Sequence, residues 1–316
     1  MHLIKSILHF AFYILTFAFL DAILRKEQKV IRVVPLRYDT VFKKAFGKPE
    51  VFCQFVKDVL GVEIHVERVI PGWRYPEPVG FVDIEYDLFA EDTQKRIIVE
   101  LQHVREEDLF DRFLYYHLIA LVEQVKSYAD YQFDKTVYTV VLVTGKSIYE
   151  NIPEFSYAVS NMDAVNEFGE SLSVYPHRLV FLNPRFLNEK TPESIKVWLE
   201  LIADSMDEQL DETRYTYPTL KKVIDEIKSD NITPQELKVI KDEAAWEQTK
   251  RNAFEEGHEK GLQEGRQEGL DEGRRQEKKG IVISMLQKGI ELNLIAEITG
   301  LELEDIEDIK SRNITN

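Results

Sequence analysis

From Val82 to Leu88 the chain alternates: Val82, Ile84, Tyr86 and Leu88 share one side of an extended segment, and Asp83, Glu85 and Asp87 share the other. A second extended run, Arg96-Ile97-Ile98-Val99-Glu100-Leu101-Gln102, follows a short polar interval. With Thr93 and Gln94 as the turn and Asp92 and Lys95 flanking it, antiparallel pairing sets Asp87 opposite Glu100 and Glu85 opposite Gln102. Around this hairpin the periodicity predicts a helix from Thr40 to Leu60, a strand near Val66 to Ile70, and a long helix from Asp108 to Tyr131. Strands at Thr136 to Val143 and Leu179 to Leu182 come next, then helices over Ser194 to Ala203 and Leu220 to Ile227. Thr233-Pro234-Gln235-Glu236 has the form of a capping box with proline at the first helical position, opening a helix that runs through Trp246. The fold class is α/β, a mixed sheet flanked by helices, with an α-helical C-terminal extension.

The hairpin carries the candidate chemistry. Carboxylates directly opposite across a strand pair have Cβ atoms roughly 5 Å apart and repel one another, so something positive belongs between them. A hard divalent cation, Mg²⁺ or Mn²⁺, suits two carboxylates completed by water and a phosphate. Asp83 shares the face and competes with Asp87 as a ligand. The competing reading is a solvated acidic hairpin face, which is common in a chain rich in Asp and Glu. Against it stands Glu100 inside the apolar run Ile97 to Leu101, which reads as a central strand covered on both faces. A carboxylate buried there needs partners.

Charge changes the picture. Lys and Arg number 40 against 56 Asp and Glu, a formal net charge of -16. Nucleic-acid affinity rests on neutralised phosphates, so a protein with this balance must gather its basic residues locally. Lys43, Lys44, Lys48 and Lys57 on the first helix are candidates, with a solvated helix face as the equal alternative. Arg112 and Gln124 on the long helix are further candidates for DNA, with packing roles as well supported. The single cysteine, Cys53, sits among apolar neighbours and excludes an intrachain disulfide. No Cys/His spacing fits structural zinc, no glycine-rich phosphate loop follows a strand, and no Gly-x-Ser-x-Gly element occurs.

Several of these segments, in this order, resemble the recombination-promoting nuclease/putative transposase group of the PD-(D/E)XK nuclease superfamily. The likeness opens at Tyr38-Asp39-Thr40-Val41-Phe42-Lys43-Lys44-Ala45-Phe46-Gly47, similar to an Asp-x-x-Phe-Lys-x-x-Phe-Gly signature. It continues through Tyr86-Asp87 and Val99-Glu100-Leu101-Gln102, then Asp111 to Tyr116, Glu123-Gln124 and Tyr128 to Tyr131. The resemblance implies a restriction-endonuclease-like core and a metal-dependent DNA endonuclease, with Asp87 and Glu100 holding Mg²⁺ or Mn²⁺. Gln102 stands where the superfamily has lysine. It has only an amide to offer, so its expected part is to orient water or a phosphate oxygen. The alternative is a catalytically weak relative that serves as an oligomerising interaction or regulatory module.

The expected organisation is an apolar extension over 1–34, a nuclease-like domain over 35–230, a charged Gly/Glu-repeat helical linker over 231–279 and a small helical module over 280–316. The leader from Leu3 to Leu24 has basic flanks, and its cleanest core, Phe10 to Leu20, is short for a bilayer that needs about 20 residues. Membrane anchor, signal-like segment and non-native extension remain open readings; the expected compartment is the cytoplasm. Gly257, Gly261, Gly265, Gly269 and Gly273 recur every fourth residue in a highly charged stretch. Each costs a helix about 1 kcal/mol relative to alanine, which favours a solvated linker helix over a self-association seam through 254–316. Two short helices are expected between Ile281 and Ile309. The second opens Leu303-Glu304-Asp305-Ile306-Glu307-Asp308, too acidic to lie against phosphates.

Overall fold

The computed structural model describes residues 29–76, 82–103, 108–126, 131–145 and 152–313. The leader from Leu3 to Leu24 and the segment Tyr128 to Asp130 lie outside the described residues. Among the described residues no helix is long and apolar enough to cross a membrane.

Elements run in the order β1 (Val30–Arg32), α1 (Asp39–Phe46), α2 (Pro49–Leu60), β2 (Ile70–Trp73), β3 (Tyr86–Glu91), β4 (Lys95–Gln102), α3 (Leu109–Val122), β5 (Thr136–Val143), β6 (Tyr157–Asn161) and β7 (Arg178–Leu182). Then follow α4 (Glu193–Ser205), β8 (Gln209–Asp211), α5 (Pro218–Ile227), α6 (Pro234–Gln287), α7 (Leu292–Thr299) and α8 (Leu303–Asn313). Six strands form one mixed sheet in the order β2-β3-β4-β5-β7-β6, parallel at β4/β5 and β5/β7 and antiparallel elsewhere. β1 and β8 pair separately.

The sheet's centre follows from composition. Ile97, Ile98 and Val99 on β4 and the apolar run of β5 are buried on both faces, as parallel strands require. One face packs against α1, α2, α4 and α5 around Phe42, Phe46, Phe55 and Trp198; the Phe46 ring lies 5.1 Å from that of Phe55 and 5.8 Å from that of Trp198. The other face meets α3 through Ile98, Ile119 and Ala120.

Four expectations need correction. The long helix placed from Asp108 to Tyr131 runs only over Leu109–Val122, and the chain turns at Glu123 and Gln124. The predicted helix from Thr40 to Leu60 is two helices, because Pro49 cannot continue α1 and forces the preceding Lys48 into extended backbone (φ -75°, ψ 124°). The strand placed at Val66 to Ile70 lies instead at Ile70–Trp73, and the edge strand β6 was not foreseen. The simple alternation also fails: Ile84 and Tyr86 belong to the α3 side, whereas Leu88 belongs to the opposite core. The strand therefore changes its facing at Asp87. Gly72, flanked by the pairs Pro71↔Leu88 and Trp73↔Tyr86, has φ 63°, a conformation glycine adopts without strain, and marks the same irregularity on the neighbouring strand.

Toward the C terminus the capping box forms as expected: the Thr233 amide donates to Glu236, and the Glu236 amide donates to the Thr233 hydroxyl. α6 then continues through all five repeat glycines, beside which there is open space. The chain divides into two compact units, one ending at Glu247 and the other beginning at Gln248. In the second, Val282, Ile295 and Ile306 form a small core, and Gly300 stops α7 with φ 65°.

Phe46 touches the most crowded part of the core. Truncation in Phe46→Ala should cost about 3–5 kcal/mol, read from the denaturant midpoint of the first unit.

Candidate active site at a break between two strands

The β3/β4 ladder ends at the pair Leu88↔Val99. At the next position two side chains take over from the backbone. Glu100 Oε1 accepts the amide of Asp87 at 3.3 Å, and Asp87 Oδ2 accepts the amide of Leu101 at 2.8 Å. Each strand thus supplies a carboxylate to the other's N–H. This reciprocal latch brings the predicted pair together at one place, at the point where the strands part.

Lys43, on the adjoining α1, reaches the same place. Its ammonium lies 3.1 Å from Asp87 Oδ1 and 2.8 Å from Asp39 Oδ2. Asp39 sits one turn before Lys43, the spacing at which helical side chains meet. The second oxygen of Asp39, Oδ1, is buried without a hydrogen-bond partner among the described residues.

Burial sets the electrostatics. Glu100 is 4% exposed; burial first, then the charge of Asp87, pushes its carboxyl well above the ordinary glutamate range. Asp87 is pushed up to about 6 by burial and by Asp39, although Lys43 and the Leu101 amide favour its ionised form. Burial alone would lower Lys43, but Asp87 and Asp39 hold it well above the usual lysine range. One ammonium does not fully neutralise the acids around it.

Gln102, buried two residues beyond Glu100, accepts a hydrogen bond from the Arg112 guanidinium of α3. Beside them opens a cavity of about 240 Å³ lined by Arg37, Asp39, His103, Glu243 and Glu247 as well as Gln102 and Arg112.

Other candidates lie elsewhere. Asp83 is exposed and paired with Arg74, as is Glu85, so Glu85 does not meet Gln102. Lys44 reaches the carbonyl of Asn231 at 2.7 Å and the carboxylate of Glu236. Gln124 brackets Lys135, accepting its amide at 2.8 Å, which is a packing role. Sequence reasoning did not foresee Asp39, Arg37, His103 or Glu243 at the site. Only Asp39 left a signal, its four-residue spacing from Lys43; Glu243 is 203 residues from its partner Thr40.

Among the described residues no three acidic, histidine or cysteine side chains form a ready-made metal cage. The donor chemistry still fits a hard ion that keeps water and takes one or two carboxylates. Two acids with raised proton affinity, Glu100 buried and Asp87 half-buried, beside a further uncompensated oxygen on Asp39, are the feature that fits it.

A family model described as PD-(D/E)XK nuclease family transposase matches residues 36–257. The chain belongs to this family. The mixed sheet flanked by helices is the α/β core of the PD-(D/E)XK fold, and membership points to nuclease- or transposase-like activity. PD-(D/E)XK nucleases generally use divalent metals. Neither a curated protein nor a solved structure matches the chain.

The raised acids have a signed consequence. Asp87 ionises near 3.8 when unfolded and near 6 when folded, so between those values the folded state holds more protons and the site's contribution to stability falls as pH rises. In metal-free protein, Asp87→Asn should therefore gain stability relative to wild type as pH is raised from about 4 to about 7, measured by urea unfolding.

Proposed function

We propose that the protein is a Mg²⁺- or Mn²⁺-dependent DNA endonuclease that hydrolyses phosphodiester bonds, with a role in recombination or mobile elements following from the same family reading. The observation that carries this is the latch itself: a buried and a half-buried carboxylate, one from each strand, share a site in which the acids outnumber the ammonium beside them. Asp87 and Glu100 would hold the ion. Bound there, it would lower the pKa of a water ligand, polarise the phosphoryl oxygen and offset charge on the leaving oxygen.

The remaining work belongs to the chain. Lys43 favours the ionised form of Asp87 and fixes its second oxygen, so that the carboxylate is aimed before substrate arrives. Gln102 cannot serve as a cation; it offers an amide that Arg112 holds in place, and its part would be to orient a water or a phosphate oxygen. Arg112 thereby acts through Gln102 as a positioning residue. Lys43 and Arg112 also bring positive charge to where a phosphate would lie.

Plasmid nicking in Mg²⁺, Mn²⁺ and EDTA tests the reading. Wild type should cleave with either metal and not in EDTA, and Asp87→Ala or Glu100→Ala should each lower the rate by about 100- to 1000-fold, the scale on which preorganised electrostatic contacts act. Metal-independent cleavage, or variants as active as wild type, contradicts it.

A second reading, self-association through 254–316, is favoured by exposed apolar side chains at Leu262, Leu270, Leu294 and Ile298. Light scattering of the full chain should then show oligomers that Leu294→Asp with Ile298→Asp disperses; a monomeric wild type contradicts it.

A further inference from the structure

Against the candidate site lie the opening turns of α6, and they present acids to the groups that would bind a phosphate backbone. Glu236, Glu243 and Glu247 are spaced seven and four residues apart, so at 100° per residue they fall within about 40° of one another on one helix face. That face is the one turned toward the domain, since Ile240 and Ala244 between them pack into the core.

Each acid has a cationic or N–H partner. Glu243 accepts the backbone amide of Thr40 at 3.3 Å and also its hydroxyl. This is the N terminus of α1, whose N-cap residue, Tyr38, makes no side-chain cap, so a carboxylate from far along the chain fills the position where a helix end attracts anions. Glu247 lies 3.7 Å from Arg37 Nε and 3.8 Å from His103 Nε2, and Glu236 lies 3.1 Å from Lys44 Nζ. The same Arg37, His103, Glu243 and Glu247 line the cavity that holds Gln102 and Arg112.

We propose that Arg37, the N terminus of α1, Lys44 and His103 form a track for the DNA backbone, and that Glu236, Glu243 and Glu247 occupy it as an internal phosphate mimic which DNA displaces. Eleven helical residues span about 16 Å, which matches the axial rise of roughly five phosphates on one strand. The mimic explains how a chain of net charge -16 keeps a cationic track beside its reactive centre without exposing it. It is also displaceable: the Lys44–Glu236 pair is partly open to solvent, and burial raises the proton affinity of Glu243. The inference rests on the proposed nuclease reading for the identity of its ligand.

The test measures binding apart from cleavage. Full-length protein carrying Glu236→Gln, Glu243→Gln and Glu247→Gln is titrated in EDTA against a fluorescent 20-base-pair duplex by anisotropy. A control carries Glu255→Gln, Glu256→Gln and Glu259→Gln, the same charge change on exposed turns of α6. The mimic variant should bind at least tenfold tighter than wild type and well beyond the control. Arg37→Ala should weaken binding and lower the salt slope by about one. Hydrogen exchange over 234–247 in wild type should accelerate when DNA is added. Should the triple variant fail to fold, Glu247→Gln alone and the exchange measurement carry the test. Unchanged or weaker affinity, equal tightening in the control, or exchange over 234–247 that DNA leaves unaltered would each overturn the proposal. Metal-dependent, Glu100-sensitive nicking alongside such a result would leave the nuclease reading standing; tightening without nicking by any form would do the reverse.

Discussion

Everything at the candidate site follows from one local event, the end of the β3/β4 ladder at Leu88↔Val99. Beyond it the strands part, and backbone amides that would otherwise pair with carbonyls are taken by Glu100 and Asp87. A buried N–H must find an acceptor, and here the acceptors are two carboxylates. The fold thereby uses backbone satisfaction to aim acidic side chains at each other. It does so at the cost of raised proton affinity on both, a cost that positive charge relieves. Lys43 supplies part of that charge.

The surrounding architecture explains why the latch is held so firmly. β4 is a central strand with apolar residues buried on both faces up to Val99, and Glu100, the next residue but one after Ile98, is buried with them. α1 is pinned by Phe42 and Phe46 in the aromatic core, which sets Asp39 and Lys43 at the edge of the same opening. Thermodynamic stability in this region and chemical capacity are therefore coupled. The packing that places Lys43 also desolvates it, and the acids beside it keep it charged.

Much of this was legible in the chain. The turn at Thr93-Gln94, the strand from Thr136 to Val143 and the helix ends near Ile227 and Gly300 follow from local rules of periodicity and capping, which do not depend on distant residues. The register of the hairpin also follows from its turn, as far as Leu88↔Val99, the last pair before the strands part. What was not legible required long-range information. Alternation could not reveal that the strand changes its facing at Asp87, beside a Gly72 with positive φ that lies fifteen positions earlier in the chain on the neighbouring strand. Asp83 looked equivalent to Asp87 on pattern alone, and only the fold turns it to Arg74. Lys44, a surface cation by sequence, is held by Glu236 from a helix almost two hundred residues away.

The most direct test of the central claim is calorimetric titration of Mn²⁺ into the full-length protein near pH 6, in buffers of different ionisation enthalpy. If the acids latched at the strand break accept a divalent ion, binding should be stoichiometric, should release protons because burial raises the proton affinity of both Asp87 and Glu100, and should vanish in Glu100→Gln. Binding without proton release, or binding that survives loss of both carboxylates, would contradict the account.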